Sequence, residues 1–204
     1  MALFGFLFES LVISASGVLS PGPMTAVTVG RGSIWPHAGA LVALGHGAVE
    51  LPLMAALFLG AGALIELHSV RLAVTLAGGL MLLVMGAGML KGSARAGAAP
   101  VSAHSPFADG VLLSLLNPFF LIWWATVGLS LLMQAARFGA LGFALFASLH
   151  WLCDFIWCYA LSVASFKGGK LMGGKFNLAV RLVSGAALLF FGVSFIYSGI
   201  EKLM

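Results

Sequence analysis

Apolar residues run along this chain in long unbroken stretches separated by short polar joints. Six such stretches fall at about 2–29, 39–63, 70–91, 107–133, 139–164 and 178–200. Each is long enough to supply the roughly 20 residues a helix needs to cross the hydrocarbon of a bilayer. Only helices and closed barrels satisfy their backbone in lipid, and a barrel strand would alternate apolar and polar positions. The runs here are continuous. The pattern therefore predicts an all-α membrane protein with six transmembrane helices. The first stretch follows Met1 with no basic segment and no small-residue cleavage site, so it reads as a retained span rather than a signal peptide.

Composition narrows where function can sit. Of 204 residues, 61% are hydrophobic and 8% charged, against about 25% charged in soluble domains. No segment is long enough for a separate soluble domain, so the chemistry must lie inside the bundle. The net charge of +4 is not a nucleic-acid signature, because Lys and Arg fall mostly between spans. With the N-terminus outside, the inner joints carry Arg31, Lys91, Arg95, Lys167, Lys170, Lys175 and Arg181, and the outer ones Arg71, Arg137 and Lys202. That bias predicts a multi-pass protein of the cytoplasmic membrane with both termini outside.

A small, polar, Pro-containing linker at 92–106 separates residues 1–91 from 107–204, each with three spans. An odd number of spans per half inserts the second half upside down, which predicts a 3+3 inverted repeat. The halves share chemistry. His46 and Glu50 lie in the second span, His150 and Asp154 in the fifth, each pair at i, i+4 on one helix face. The first span contains Ser20, Pro21, Gly22 and Pro23, and the fourth Asn117 and Pro118. A shift of 104 residues superimposes the His/acid pairs but leaves Pro118 seven positions short of the counterpart of Pro21.

The first stretch would be roughly 43 Å as a straight helix at 1.5 Å per residue, longer than the hydrocarbon core. Its two prolines remove N–H donors and oppose helix geometry, which predicts a broken first helix; the alternative is a span ending at Ser20 with an interfacial turn. Asn117 and Pro118 predict a second break, in the fourth helix. Broken backbone at membrane depth belongs where it lines a cavity, and its freed groups can hold a carboxylate, an amine or a cation. Glu50 and Asp154 lie mid-span, where a carboxylate is expensive and marks a substrate or proton path, or else a structural link between helices. His46 and His150 could be packing groups, proton relays or, with the two acids, ligands to a divalent metal. Trp123, Trp124, Trp151 and Trp157 suit interface anchoring; Trp124, just after the second break, is also a candidate pocket wall. Glu9 and Arg31 sit toward the ends of the first stretch, Arg31 as a topology anchor. Cys153 and Cys158, about 140° apart on a helix, read as packing residues, with thiol chemistry as the alternative. Gly169 to Lys175 is close to a phosphate-binding loop, but Phe176 stands where Ser or Thr belongs and no strand precedes it.

Taken in order, S-P-G-P at 20–23, Arg31, Gly39, Glu50, Leu116-Asn117-Pro118, and Asp154 followed by Trp157 resemble the LysE/RhtB family of amino-acid exporters over nearly the whole chain. The resemblance implies a secondary transporter rather than an enzyme, exporting a small amino acid or related zwitterion with proton coupling and no cofactor. Ser20 to Pro23, Asn117, Pro118 and Trp124 would hold substrate. Glu50, Asp154, His46 and His150 would carry protons or the substrate amine. Gly-rich faces on the third and sixth spans could pack a second copy into a homodimer, or pack internally. The chain departs from the family pattern at Met24, where Asn is usual, in the bulky Phe-Phe-Leu-Ile-Trp-Trp after Pro118, and in its two histidines. The histidines keep a divalent metal-cation exporter open as the second reading.

Overall fold

The computed structural model describes residues 2–19, 22–60, 68–91, 104–172 and 174–201. Their elements are α1 (Leu3–Val18), α2 (Pro23–Gly32), α3 (Ala38–Phe58), α4 (His68–Lys91), α5 (Pro106–Leu115), α6 (Pro118–Ala136), α7 (Gly139–Met172) and α8 (Gly174–Glu201). No strand occurs among the described residues. Helices α3, α6 and α7 are each long and apolar enough to cross a membrane, and α1 with α2 forms a fourth such unit, bent by 73°. The outer surface is apolar, with Phe4, Leu59, Val84 and Phe190 exposed, while His46, Glu50, Asp109, His150 and Asp154 are buried. This inversion of the soluble pattern is what a lipid-facing bundle requires.

Both expected breaks are present, and proline sets them. Pro23 and Pro118 each open a helix, a position whose N–H has no intrahelical partner anyway. Gly22 before Pro23 is extended, at φ −161° and ψ −176°. Asn117 before Pro118 is extended too, and its Oδ1 accepts the Phe119 N–H at 3.0 Å, capping α6. The first apolar stretch is thus two helices, the second of which continues to Gly32, past the expected end near 29. Ser20 and Pro21 lie outside the described residues, as do residues 92–103 of the linker. Helix α7 runs to Met172, past the expected end near 164. Gly169 to Met172 are therefore its last residues, and no phosphate-binding loop forms there.

Small residues set the helix spacing. A Cβ on Gly79 would lie 3.0 Å from the Gly192 carbonyl oxygen, and one on Gly86 2.9 Å from that of Gly185, so α4 and α8 pack antiparallel through each other's glycines. The Gly-rich faces of α4 and α8 thus meet each other. Contact between α3 and α5 is closer: a Cβ on Gly45 would lie 2.0 Å from Phe107 O, and one on Gly110 2.1 Å from Val42 O. Gly110→Val is accordingly expected to cost about 3 kcal/mol through overpacking. Gly88→Ala, with nothing within 4 Å of the new Cβ, should raise stability by up to about 1 kcal/mol. Thermal unfolding of both variants in detergent checks the contrast.

Candidate functional site

The i, i+4 spacing on α3 puts His46 and Glu50 on one face, and the same spacing on α7 does so for His150 and Asp154. Helices α3 and α7 cross closely because Gly39 and Gly47 lack side chains: a Cβ on Gly39 would fall 2.0 Å from Cys158 O, and one on Gly47 2.1 Å from Trp151 Nε1. The two faces therefore meet. Glu50 Oε1 lies 3.1 Å from His46 Nε2 and 3.2 Å from His150 Nε2. The Asp154 carboxylate lies 3.8 Å from His46 Nε2 and 3.7 Å from His150 Nε2. All four residues are buried.

The far side of each imidazole is held by a serine from a different helix. His46 Nδ1 is 2.7 Å from Ser114 Oγ on α5, and His150 Nδ1 is 2.7 Å from Ser14 Oγ on α1. Ser114 donates its own hydroxyl hydrogen to Gly110 O at 2.7 Å. Its oxygen must then accept from His46, which makes Nδ1 the protonated nitrogen. A neutral His46 would leave a bare lone pair on Nε2, facing carboxylate Oε1 at 3.1 Å. Two acceptors at that distance need a proton or a cation between them. Ser114→Ala would release this constraint and leave a buried imidazole N–H unpaired, a loss of about 1–3 kcal/mol. A lowered unfolding temperature in that variant, restored by Ser114→Thr, checks it.

Trp124 completes the cluster. Its indole N–H donates to Glu50 Oε1 at 3.3 Å. It opens a π-helical turn, Trp124–Gly128, a local widening that recurs at functional sites. The indole lies over Gly128, where a Cβ would come within 2.3 Å of the ring. Gly128→Val should therefore push Trp124 off Glu50 and cut activity about tenfold, the equivalent of one charged hydrogen bond. Tryptophan fluorescence and transport rate read the two effects.

The cluster forms the charged end of a cavity of about 590 Å³, and the two helix breaks form another part of its wall. Gly22, Pro23, Asn117 and Trp124 line it together with His46, Glu50, His150 and Asp154. Pro118 is buried at the start of α6 and is not part of the wall. Three polar atoms on lining residues are buried with no hydrogen-bond partner: Glu50 Oε2, Asp154 Oδ2 and the indole nitrogen of Trp157. Cys158 also lines the cavity, and both cysteines are free thiols. Glu9 is exposed on α1 and takes no part in the site. Sequence reasoning did not single out Ser14, Ser114 or Asp109. Asp109 is fully buried and accepts from Arg31 Nε at 2.8 Å, while Arg31 Nη2 donates to His104 O. The motif Ser105-Pro106-x-x-Asp109 signals a capped helix start with a carboxylate in its first turn, and Arg31 is its partner from α2.

The profile of the LysE type translocator family matches residues 15–199 of the chain. The chain belongs to the LysE type translocator family. The site just described thus sits within a multi-pass membrane transport protein. A Bacillus subtilis (strain 168) protein described as "Putative amino acid efflux protein YcgF" is 25% identical over 210 residues, covering 97% of this chain and 99% of that protein. No solved structure matches the chain. For a LysE type translocator the two histidines give the site its particular chemistry, since each bridges the carboxylates while a serine from a neighbouring helix holds it from behind.

Proposed function

We propose that this LysE type translocator exports an amino acid or related zwitterion across the cytoplasmic membrane, with protons carried by the His46–Glu50–His150–Asp154 cluster. One observation carries the reading: two carboxylate oxygens and one indole N–H, all buried and without a hydrogen bond, belong to residues that line a single cavity. Acceptors and a donor that lack hydrogen bonds in one site are the complement of an ammonium and a carboxylate. The substrate ammonium would sit on Glu50 Oε2 and Asp154 Oδ2. The carboxylate would take Trp157 and the first turn of α2, whose leading N–H groups have no intrahelical acceptor. On this reading a proton fills the gap between His46 Nε2 and Glu50 Oε1, and the positive charge of an ammonium arriving at Oε2 would favour its release, which links substrate binding to proton release. Family membership and the amino acid efflux protein of B. subtilis support the substrate class.

The same reading takes the molecule as two three-span repeats, 1–91 and 107–204, rocking about the central site. Contacts exchange between the halves in a way that supports it. His46 of the second span bonds Ser114 of the fourth, and His150 of the fifth bonds Ser14 of the first. Gly79 meets Gly192 while Gly86 meets Gly185. The offset varies along the chain: 100 for the serines, 97 from Pro21 to Pro118, 104 for the His/acid pairs and 106 for the glycines. A single shift therefore does not align the halves. The end bearing Arg31 is the cytoplasmic end on this reading, and both termini are outside.

A divalent cation is the second reading, and a specific geometry favours it. Ligand atoms of His46, Glu50 and Asp154 lie within 4.8 Å of one another. Imidazole–carboxylate separations of 3.1–3.8 Å suit ligands spaced around one ion at about 2.0–2.2 Å each. Serine hydroxyls behind both imidazoles would orient them as metal ligands commonly are. The metal would then be cargo. Thermal stability of the detergent-purified protein separates the readings, because a ligand stabilises the state that binds it. Stabilisation by an amino acid, lost in Glu50→Gln, supports the first. Stabilisation by Mn, Ni, Co, Zn or Cd ions alone, lost in His46→Ala, overturns it in favour of the second.

A further inference from the structure

We infer that the substrate is an amino acid with a bulky apolar or aromatic side chain, rather than a small or basic one. This rests on the zwitterion reading above and adds the side-chain class. Charge in the cavity is confined to the four-residue cluster. The remaining wall is built largely from Phe119, Phe120 and Trp123 of α6, Trp157 and Leu161 of α7, and Phe191 of α8. Two of these rings already pack against the charged end: Phe120 lies edge-on to His46 with centroids 5.2 Å apart, and Trp123 lies 5.0 Å from His150. The bulky run after Asn117-Pro118 is thus turned partly toward the site.

Volume and chemistry then select the side chain. A cavity of about 590 Å³ is within the range that encloses drug-sized ligands. Glycine or alanine, held by its ammonium and carboxylate, would leave the aromatic wall without contacts. A phenylalanine or leucine side chain would bury its apolar surface there, for an affinity gain of about 10- to 100-fold over alanine. A lysine or arginine side chain would need a further carboxylate to pair its charge. Among the described lining residues the carboxylates are Glu50 and Asp154, and both already face the two histidines and the substrate ammonium. Phe191 and Phe119 are the proposed specificity residues: neither touches the charged cluster through any described hydrogen bond or ring contact, and the two line the cavity from different helices.

The test is thermal stabilisation of the full-length purified protein, titrated with L-phenylalanine, L-leucine, L-alanine, glycine, L-lysine and Mn ions, in wild type, Phe191→Ala and Phe119→Leu. Half-maximal stabilisation by phenylalanine or leucine is expected at 10- to 100-fold lower concentration than by alanine, with no response to lysine. Either variant should weaken phenylalanine about tenfold and leave alanine unchanged; Phe119→Leu is the conservative change should Phe191→Ala fold poorly. Alanine, glycine or lysine acting as strongly as phenylalanine would overturn the side-chain assignment while leaving the exporter reading in place. Selectivity unchanged in both variants would also overturn it. Stabilisation by no amino acid, or by Mn ions alone, would remove the exporter reading and this inference together.

Discussion

Glu50→Gln is expected to lower export by about 100-fold or more while the protein still folds. Glu50 is the centre of the cluster. Its Oε1 accepts from Trp124 and faces both imidazoles, and its Oε2 is a buried acceptor with no partner. Hydrogen bonds involving a charged group contribute about 1.5–3 kcal/mol each, and about 1.4 kcal/mol is tenfold in an equilibrium or rate. The amide keeps the shape of the carboxylate but loses its charge, weakening at least two such contacts: one to the substrate ammonium and one to a proton-bearing imidazole. Asp154→Asn should act in the same direction with a smaller effect, because Asp154 stands farther from both histidines. Transport by vesicles containing each variant, alongside its unfolding temperature, separates lost function from lost fold.

Arg31→Ala is expected to destabilise the protein by about 3–5 kcal/mol, since it leaves a fully buried carboxylate without its cationic partner. Asp109 lies inside the bundle at the start of α5, and Arg31 reaches it from the end of α2 while also donating to His104 O. The pair therefore ties the first apolar segment to the fourth. Against a total stability of about 5–15 kcal/mol, the loss should drop the amount of folded protein recovered from membranes severalfold. Removing both charges, as Arg31→Met with Asp109→Leu, should recover much of the loss, because a buried pair replaced by apolar groups is often neutral. A double-mutant cycle on unfolding temperature measures the coupling. A single Arg31→Ala variant as stable as wild type would reduce Arg31 to the topology anchor that the sequence suggested.

Charge in an apolar run is conspicuous, and for that reason the His/acid pairs were legible in the sequence. Helical periodicity alone put His46 beside Glu50 and His150 beside Asp154. Pro21, Pro23 and Pro118 likewise announced both breaks, since proline lacks the N–H that a helix interior needs, although Pro52 is carried inside α3. The convergence of the pairs was not legible. It depends on how closely α3 and α7 cross, which Gly39 and Gly47 permit, and in sequence those glycines look like any other small residues of a membrane helix. Ser14 and Ser114 were invisible for a similar reason: a serine in a span is ordinary until a histidine on another helix faces it. Asp109 stood at the polar edge of an apolar stretch, where a carboxylate normally meets headgroups, and nothing local revealed that Arg31 would reach it. The Gly-rich faces of the third and sixth spans were ambiguous between a second copy and the chain itself; the structure packs them on each other.

The central claim is that this LysE type translocator moves an amino acid through the Glu50–Asp154 cavity. Counterflow in proteoliposomes measures that movement directly: vesicles containing purified protein are loaded with unlabelled L-phenylalanine, and uptake of labelled L-phenylalanine is followed. Transient accumulation by wild type, absent in Glu50→Gln and unaffected in Gly88→Ala, is the predicted result. Equal accumulation by wild type and Glu50→Gln, or none by folded wild-type protein with any amino acid, would contradict it.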